Sequence, residues 1–339
     1  MIHRHKKYVN FTLSSSPHVH SKNTTAVIMR DVCIALLPAL IAAIVFFGWR
    51  ALTMTLISVA GSVFFEWGYR KLMKKDCTVG DWSAAVTGML VAFVCPVTLP
   101  VWTLLIADFF AIVLVKQLFG GIGLNIVNPA LAARAFLFSW PSLMSGSWAK
   151  PGTNVSALHL PHSLDGITGA TPMEALAVGQ IPAESLLDLF LGKVGGSFGE
   201  VSALALIVGG IYLLCHKVIS ARIPVAYLAT VAVLAFVFPL NGQNRVDWML
   251  YQLLSGGLML GAIFMATDYT TSPVTRWGQI FFGIGCGALT VALRYFGSYV
   301  EGVSYAILVM NCCVGFFDKL GIPKRFGLVK AKKKDGEAA

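Results

Sequence analysis

Long apolar runs alternate with short polar segments along most of the chain. The runs lie near 31–49, 51–70, 83–98, 100–117, 125–141, 200–216, 223–240, 248–267, 278–294 and 301–317. Each approaches the ~20 residues a helix needs to cross about 30 Å of hydrocarbon. The pattern predicts an all-α polytopic membrane protein of about ten transmembrane helices. Several runs are interrupted. Pro96 and Pro100 bracket a hinge, Gly120-Gly121-x-Gly123 opens a span, and Asn128-Pro129 breaks one near its start. Irregular backbone at membrane depth survives only where protein buries it or where it lines a wet cavity.

A weak internal likeness suggests how the spans are arranged. "DWSAAVTGML" at 81 and "DWMLYQLLSGGLML" at 247 each open a span, and Asn128 and Asn311 each fall inside one after a Gly-rich entry. Five spans per half, an odd number, require the second half to sit inverted, and such repeats build sites near the midplane. The expected division is a segment 1–30, a first five-helix repeat 31–141, a polar loop 142–199, a second repeat 200–317 and a basic tail 318–339.

Charge orients the bundle. With the N-terminus inside, 20 of the 26 Lys and Arg residues fall on the cytoplasmic side. The other six are Arg50, Arg134, Lys150, Lys193, Arg245 and Arg294. This asymmetry predicts cytoplasmic termini and an outward-facing loop 142–199. The net charge of +10 is spread between spans, which argues against nucleic acid as a partner. The seven cysteines form no C-x-x-C pair, and most lie in apolar runs, where they read as small buried residues. The histidines lack a third ligand at metal spacing and read as solvated. "PAESLLDLFLGKVGG", 182–196, is amphipathic and suits a place on the outer membrane surface or over a cofactor, and the lysines of the tail suit an anionic leaflet.

Three charges fall within or near spans. Glu66 and Asp108 read either as members of an ion path or subunit interface, or as structural groups that snorkel or pair; Arg134 reads in the same two ways. The outer loop holds "DGITGATPMEAL", 165–176. On spacing alone Thr171 is a helix N-cap, with Pro172 at the first helical position and Glu174 three residues on. The small residues Gly169 and Ala170 would also leave a threonine hydroxyl open to a modifying enzyme, and a phosphate there would sit at a helix N-terminus.

The chain resembles the D-subunit family of the Rnf complex, a membrane-bound ferredoxin:NAD oxidoreductase that moves Na+ or H+. It is more distantly similar to the B subunit of the Na+-translocating NADH:quinone oxidoreductase. The likeness runs through "TLSSSPHVH" at 12, "TGMLVAFVCPVTLP" at 87, "KQLFGGIGLNIVNPALAARAF" at 116, "DGITGATP" at 165, "GGSFGEVSALALIVGGIYLL" at 195, "LLSGGLMLGAIFMATDYTTSPVT" at 253 and "EGVSYAILVMN" at 301. The resemblance implies FMN attached through a phosphoester to Thr171. Asp165, Thr168, Gly169 and Ala170 would then form the motif a flavin transferase reads. It leaves open a non-covalent riboflavin, which no short motif marks. It implies partners: NADH-binding, ferredoxin-reacting, membrane iron–sulfur and second flavin subunits, in the cell membrane of a bacterium or archaeon. The residues alone would equally suit a secondary transporter of inverted-repeat fold, or a scaffold for neighbouring subunits.

Overall fold

The structure, a computed structural model, describes residues 24–140, 144, 148–152, 171–297 and 301–320. Among these residues the regular elements are all helices, with no strand. Helix α1 (Thr25–Phe47) begins where the Thr24 hydroxyl accepts from the Val27 amide. It ends at Gly48, whose φ of 75° suits glycine and turns the chain into α2 (Trp49–Leu72). Helix α3 (Ser83–Phe93) follows. Beyond the proline-bounded break comes α4, α-helical over Val101–Phe109 and π-helical over Phe110–Gln117.

The expected span 125–141 is helical only as α5 (Pro129–Leu137). The reason is local. Pro129 has no N–H to give, and the Asn128 side chain accepts from the Ala130 and Leu131 amides, which caps the helix there. Helices α6 (Pro172–Ala177) and α7 (Leu186–Leu191) are short. The second half comprises α8 (Ala203–Cys215), α9 (Arg222–Val237) and α10 (Arg245–Leu254). It continues with α11 (Leu258–Leu260, then π-helical over Gly261–Met265), α12 (Arg276–Phe296), α13 (Val303–Cys312) and α14 (Val314–Leu320). Helices α1, α2 and α12 are each long and apolar enough to cross a membrane, whereas α10–α11 and α13–α14 qualify only as pairs bent by 66° and 63°.

Helix α2 packs against α3 and α4, and α9 packs in the same order against α10 and α12. The leading helices of the two halves, α1 and α8, pack antiparallel: near Gly192, Ser202 at the start of α8 comes close to Phe46 at the end of α1. Helices α5 and α13 are antiparallel too. Asn128 before α5 meets Asn311 late in α13, while Arg134 late in α5 meets Glu301 just before α13. With its amide turned to donate to the Thr271 and Ile307 carbonyls, Asn311 accepts from the Asn128 amide at 3.1 Å. The two Asp-Trp pairs, by contrast, are not equivalent. Asp81 precedes α3 and accepts from the Ser83 amide, with Trp82 exposed, whereas Asp247 lies in the first turn of α10, with Trp248 fully buried.

Two expectations need correction. Only Cys95 and Cys286 are buried and Cys33 half-buried; Cys77, Cys215, Cys312 and Cys313 are exposed on the surface of the chain. Of the basic residues counted to the outer side, Arg50, Arg134 and Arg294 lie in the interior rather than in loops, and on the other side so does Lys116. Each is held by acceptors of the protein, so none measures loop charge.

Candidate functional site

Thr171 immediately precedes α6, with extended φ and ψ of −84° and 153° and Pro172 at the first helical position, as expected for an N-cap. Its hydroxyl makes no capping bond. Pro172 has no N–H, and the Glu174 amide already donates to the Thr171 carbonyl at 3.0 Å, so the six-residue helix leaves little to cap. A helix this short also supplies little dipole for a phosphate. The side chain is therefore uncommitted to the helix it precedes, and the residue is 6% exposed. Asp165, Thr168, Gly169 and Ala170 lie outside the described residues.

A cavity of about 20 Å³ adjoins Thr171, lined also by Gly195, Gly196, Ser197, Glu200, Gly256 and Glu301. Beside it Arg134 forms ion pairs with Glu200 and Glu301, which are 66 and 167 residues away in sequence. Arg134 also donates to Ser197 at 3.4 Å, and Ser197 donates to the Val94 carbonyl at 3.2 Å. The opposite wall is braced by Arg294, which donates to the Gln252 carbonyl (2.6 Å) and the Ser255 carbonyl (3.1 Å). That fixes Gly256, at φ 67°, where a Cβ would come within 3.0 Å of Met173.

Glu66 and Lys116 meet at 2.7 Å, both buried; Glu66 also accepts from Thr78, and Lys116 donates to Ser83 at 2.6 Å. Glu66 is therefore paired inside the chain, with both groups buried. Lys116 and Ser83 line a second cavity of about 80 Å³, together with Asn128, Thr267, Asp268 and Thr270. Asp108 is fully buried as well; its Oδ1 accepts from Ser58 (2.7 Å) and Ser62 (3.2 Å).

Glu200, Glu301 and Lys116 carry no signal in the sequence that marks them as partners. A buried arginine needs acceptors, and nothing in the spacing shows that for Arg134 these are carboxylates, or which of the 16 acidic residues supply them.

Residues 12–327 match the profile of the NQR2, RnfD, RnfE family. The chain is 48% identical over 328 residues to the D subunit of the Na(+)-translocating ferredoxin:NAD(+) oxidoreductase complex of Acetobacterium woodii, covering 96% of this chain and 98% of that one. It is 37% identical to the D subunit of the proton-translocating ferredoxin:NAD(+) oxidoreductase complex of Clostridium ljungdahlii, over 94% of this chain and 96% of the other. Identity to the D subunit of the ion-translocating oxidoreductase complex of Stutzerimonas stutzeri is also 37%, over 88% and 91%.

Proposed function

The chain belongs to the NQR2, RnfD, RnfE family, and from that premise we propose that it is the D subunit of an ion-translocating ferredoxin:NAD oxidoreductase, carrying FMN as a phosphoester on Thr171. The observation that supports the attachment is the Thr171 hydroxyl, in a helix-start position yet free of any capping bond. The names of the relatives differ over Na+ and protons, so they leave the ion unassigned for this chain. The subunit would work in the cell membrane with NADH-binding, ferredoxin-reacting, iron–sulfur and second flavin subunits, with both termini cytoplasmic and the flavin loop outside.

Among the described residues the chain offers the Thr171 hydroxyl for the ester, beside an arginine already paired with two carboxylates. A cavity of about 20 Å³ has room for roughly one water, so it encloses neither the phosphate nor the ring system, and both would lie beyond it. Bound FMN would supply reversible electron transfer, and the chain would position it. Thr171 Oγ1 bears the ester. Arg134 holds Glu200, Ser197 and Glu301, all of which line the cavity. Arg294 holds the carbonyl of Ser255, which lines the cavity with its neighbour Gly256. At 6% exposure Thr171 must be reached by the flavin transferase in an opened state of this end of the bundle.

In-gel flavin fluorescence of the denatured protein, produced together with a flavin transferase, tests the attachment. Wild type should fluoresce and Thr171→Ala should not. A dark wild-type band rejects the phosphoester and favours a transporter of the same fold, whereas an equally bright mutant rejects Thr171 as the attachment residue. Flavin released on denaturation, beside flavin retained in the gel, would mark the additional non-covalent riboflavin.

A further inference from the structure

Helix α2 is polar on the inside. Its buried positions include Arg50, Thr55, Ser58, Ser62 and Glu66, while Leu56 and Phe64 stay exposed. From Arg50 to Glu66 this polar line covers about 24 Å at 1.5 Å per residue. Asp108 of α4 faces its middle. The Ser58 hydroxyl lies 2.7 Å from Asp108 Oδ1 and 2.8 Å from the Gly88 carbonyl. A serine has one proton and cannot donate to both. Oδ2, also buried, has no hydrogen-bond partner among the described residues.

The surrounding charges do not neutralise the carboxyl. On α2, Arg50 donates to the Val97 and Leu99 carbonyls, and Glu66 is itself acidic. On α4, Lys116 is paired with Glu66. Helix α3 presents the Gly88 carbonyl and, just beyond its end, the buried Cys95 thiol. Helix α5 carries Arg134, which is paired with Glu200 and Glu301. An ionised Asp108 would therefore be desolvated, short of donors and, among the described residues, without a counter-charge.

We infer that Asp108, with the Ser58 and Ser62 hydroxyls and the Gly88 carbonyl, forms a binding site for one monovalent cation, a proton or a sodium ion. With a proton, Asp108 donates through Oδ1 to Ser58, Ser58 donates to the Gly88 carbonyl, and every hydroxyl proton has one acceptor. With a sodium ion, the same four groups are the hard oxygen donors such a cation takes. The cavity lined by Lys116 adjoins the same stretch of α2. Ser62 and Glu66 are one turn apart on α2, and Glu66 is bonded to Lys116, which lines that cavity. The π-helical segment that starts two residues after Asp108 is what carries Lys116 to this place, and such segments recur at functional sites. The inference deepens the reading of the chain as a pump subunit, but the site itself needs no redox partner to be tested.

The full chain in lipid nanodiscs, studied by infrared difference spectroscopy against Asp108→Asn, tests it. One series raises the pH in sodium-free buffer; the other adds NaCl, with KCl as control, at fixed pH. The expected result is a protonated-carboxyl band present in wild type and absent from Asp108→Asn. Loss of that band with pH alone identifies a proton site; loss with Na+ but not K+ identifies a sodium site. Ser62→Ala keeps the carboxyl and should shift the midpoint by about tenfold in cation concentration, the effect of one hydrogen bond to a charged group; it also serves if Asp108→Asn does not fold. The inference is overturned if wild type and both variants titrate alike, or if the carboxyl stays in one state over all conditions in which the protein is folded. Retention of flavin on Thr171, followed in the same samples, separates failure here from failure of the attachment.

Discussion

In the first half, α2 packs against α3 and α4 and buries Arg50, Ser58, Ser62 and Glu66; in the second, α9 packs against α10 and α12 and buries Ile223, Tyr227, Val231 and Ala235. The polar contact at the heart of the second seam joins two hydroxyls, Tyr227 to Thr290 at 2.6 Å. Close approach there relies on Gly283 and Gly287, which lie against the Ile223 and Tyr227 carbonyls. Among the described residues, the same order of helix pairing thus closes without a carboxylate or a lysine at its centre. Helix packing in this architecture does not require Asp108, Glu66 or Lys116, and their burial in the first half calls for another reason. What both halves share is an arginine that braces a helix break: Arg50 on the Val97 and Leu99 carbonyls, Arg294 on those of Gln252 and Ser255.

The largest test of this contrast is Lys116→Met. It leaves Glu66 buried beside Thr78 alone and should cost about 3–5 kcal/mol, measured by chemical unfolding in detergent. The double variant with Glu66→Gln should recover most of that loss. A double variant as unstable as the single one would mean that the first seam, unlike the second, needs its charges to fold. Next in size is Gly88→Ala, whose Cβ would come within 2.7 Å of the Ser58 carbonyl and 2.9 Å of the Ser62 hydroxyl. Overpacking there should cost about 1–3 kcal/mol, against no penalty at Gly68, where no atom lies within 4 Å.

Comparable in size is the effect on folding of Thr290→Val, about 1–3 kcal/mol, because it removes the bond to the Cys286 carbonyl and leaves the buried Tyr227 hydroxyl without its partner, with ferredoxin-driven ion uptake unchanged. Asp108→Asn should change stability by no more than about 1 kcal/mol yet slow ion uptake. Equal uptake in the two variants would erase the difference between the halves. The smallest effect is expected for Thr171→Ala. An N-cap threonine is worth about 1 kcal/mol, but with no capping bond to lose the change should stay under about 0.5 kcal/mol.

The all-helical architecture and the breaks at Pro96, Pro100 and Asn128 could be read from the sequence because hydropathy and proline act locally. The length of α5 could not be read in the same way. Residues 125–141 are apolar enough for a span, and only the capping geometry of Asn128 starts the helix at Pro129. The Asp-Trp likeness does mark the starts of α3 and α10, though Trp82 is exposed and Trp248 buried, and Asn128 and Asn311 come together. Thr171 was identifiable through its motif, but the freedom of its hydroxyl depends on the backbone bond between Glu174 and Thr171. Arg134, Glu200 and Glu301 stayed separate in sequence because no local period links α5 to residues 66 and 167 positions away.

Mass spectrometry of the peptide containing Thr171, taken from the complex assembled with a flavin transferase, tests the central claim most directly. This peptide should be heavier by one FMN less a water, with the modification localised to Thr171 and absent from Thr171→Ala. An unmodified Thr171 peptide from active complex, or the same mass increase on another residue, would contradict it.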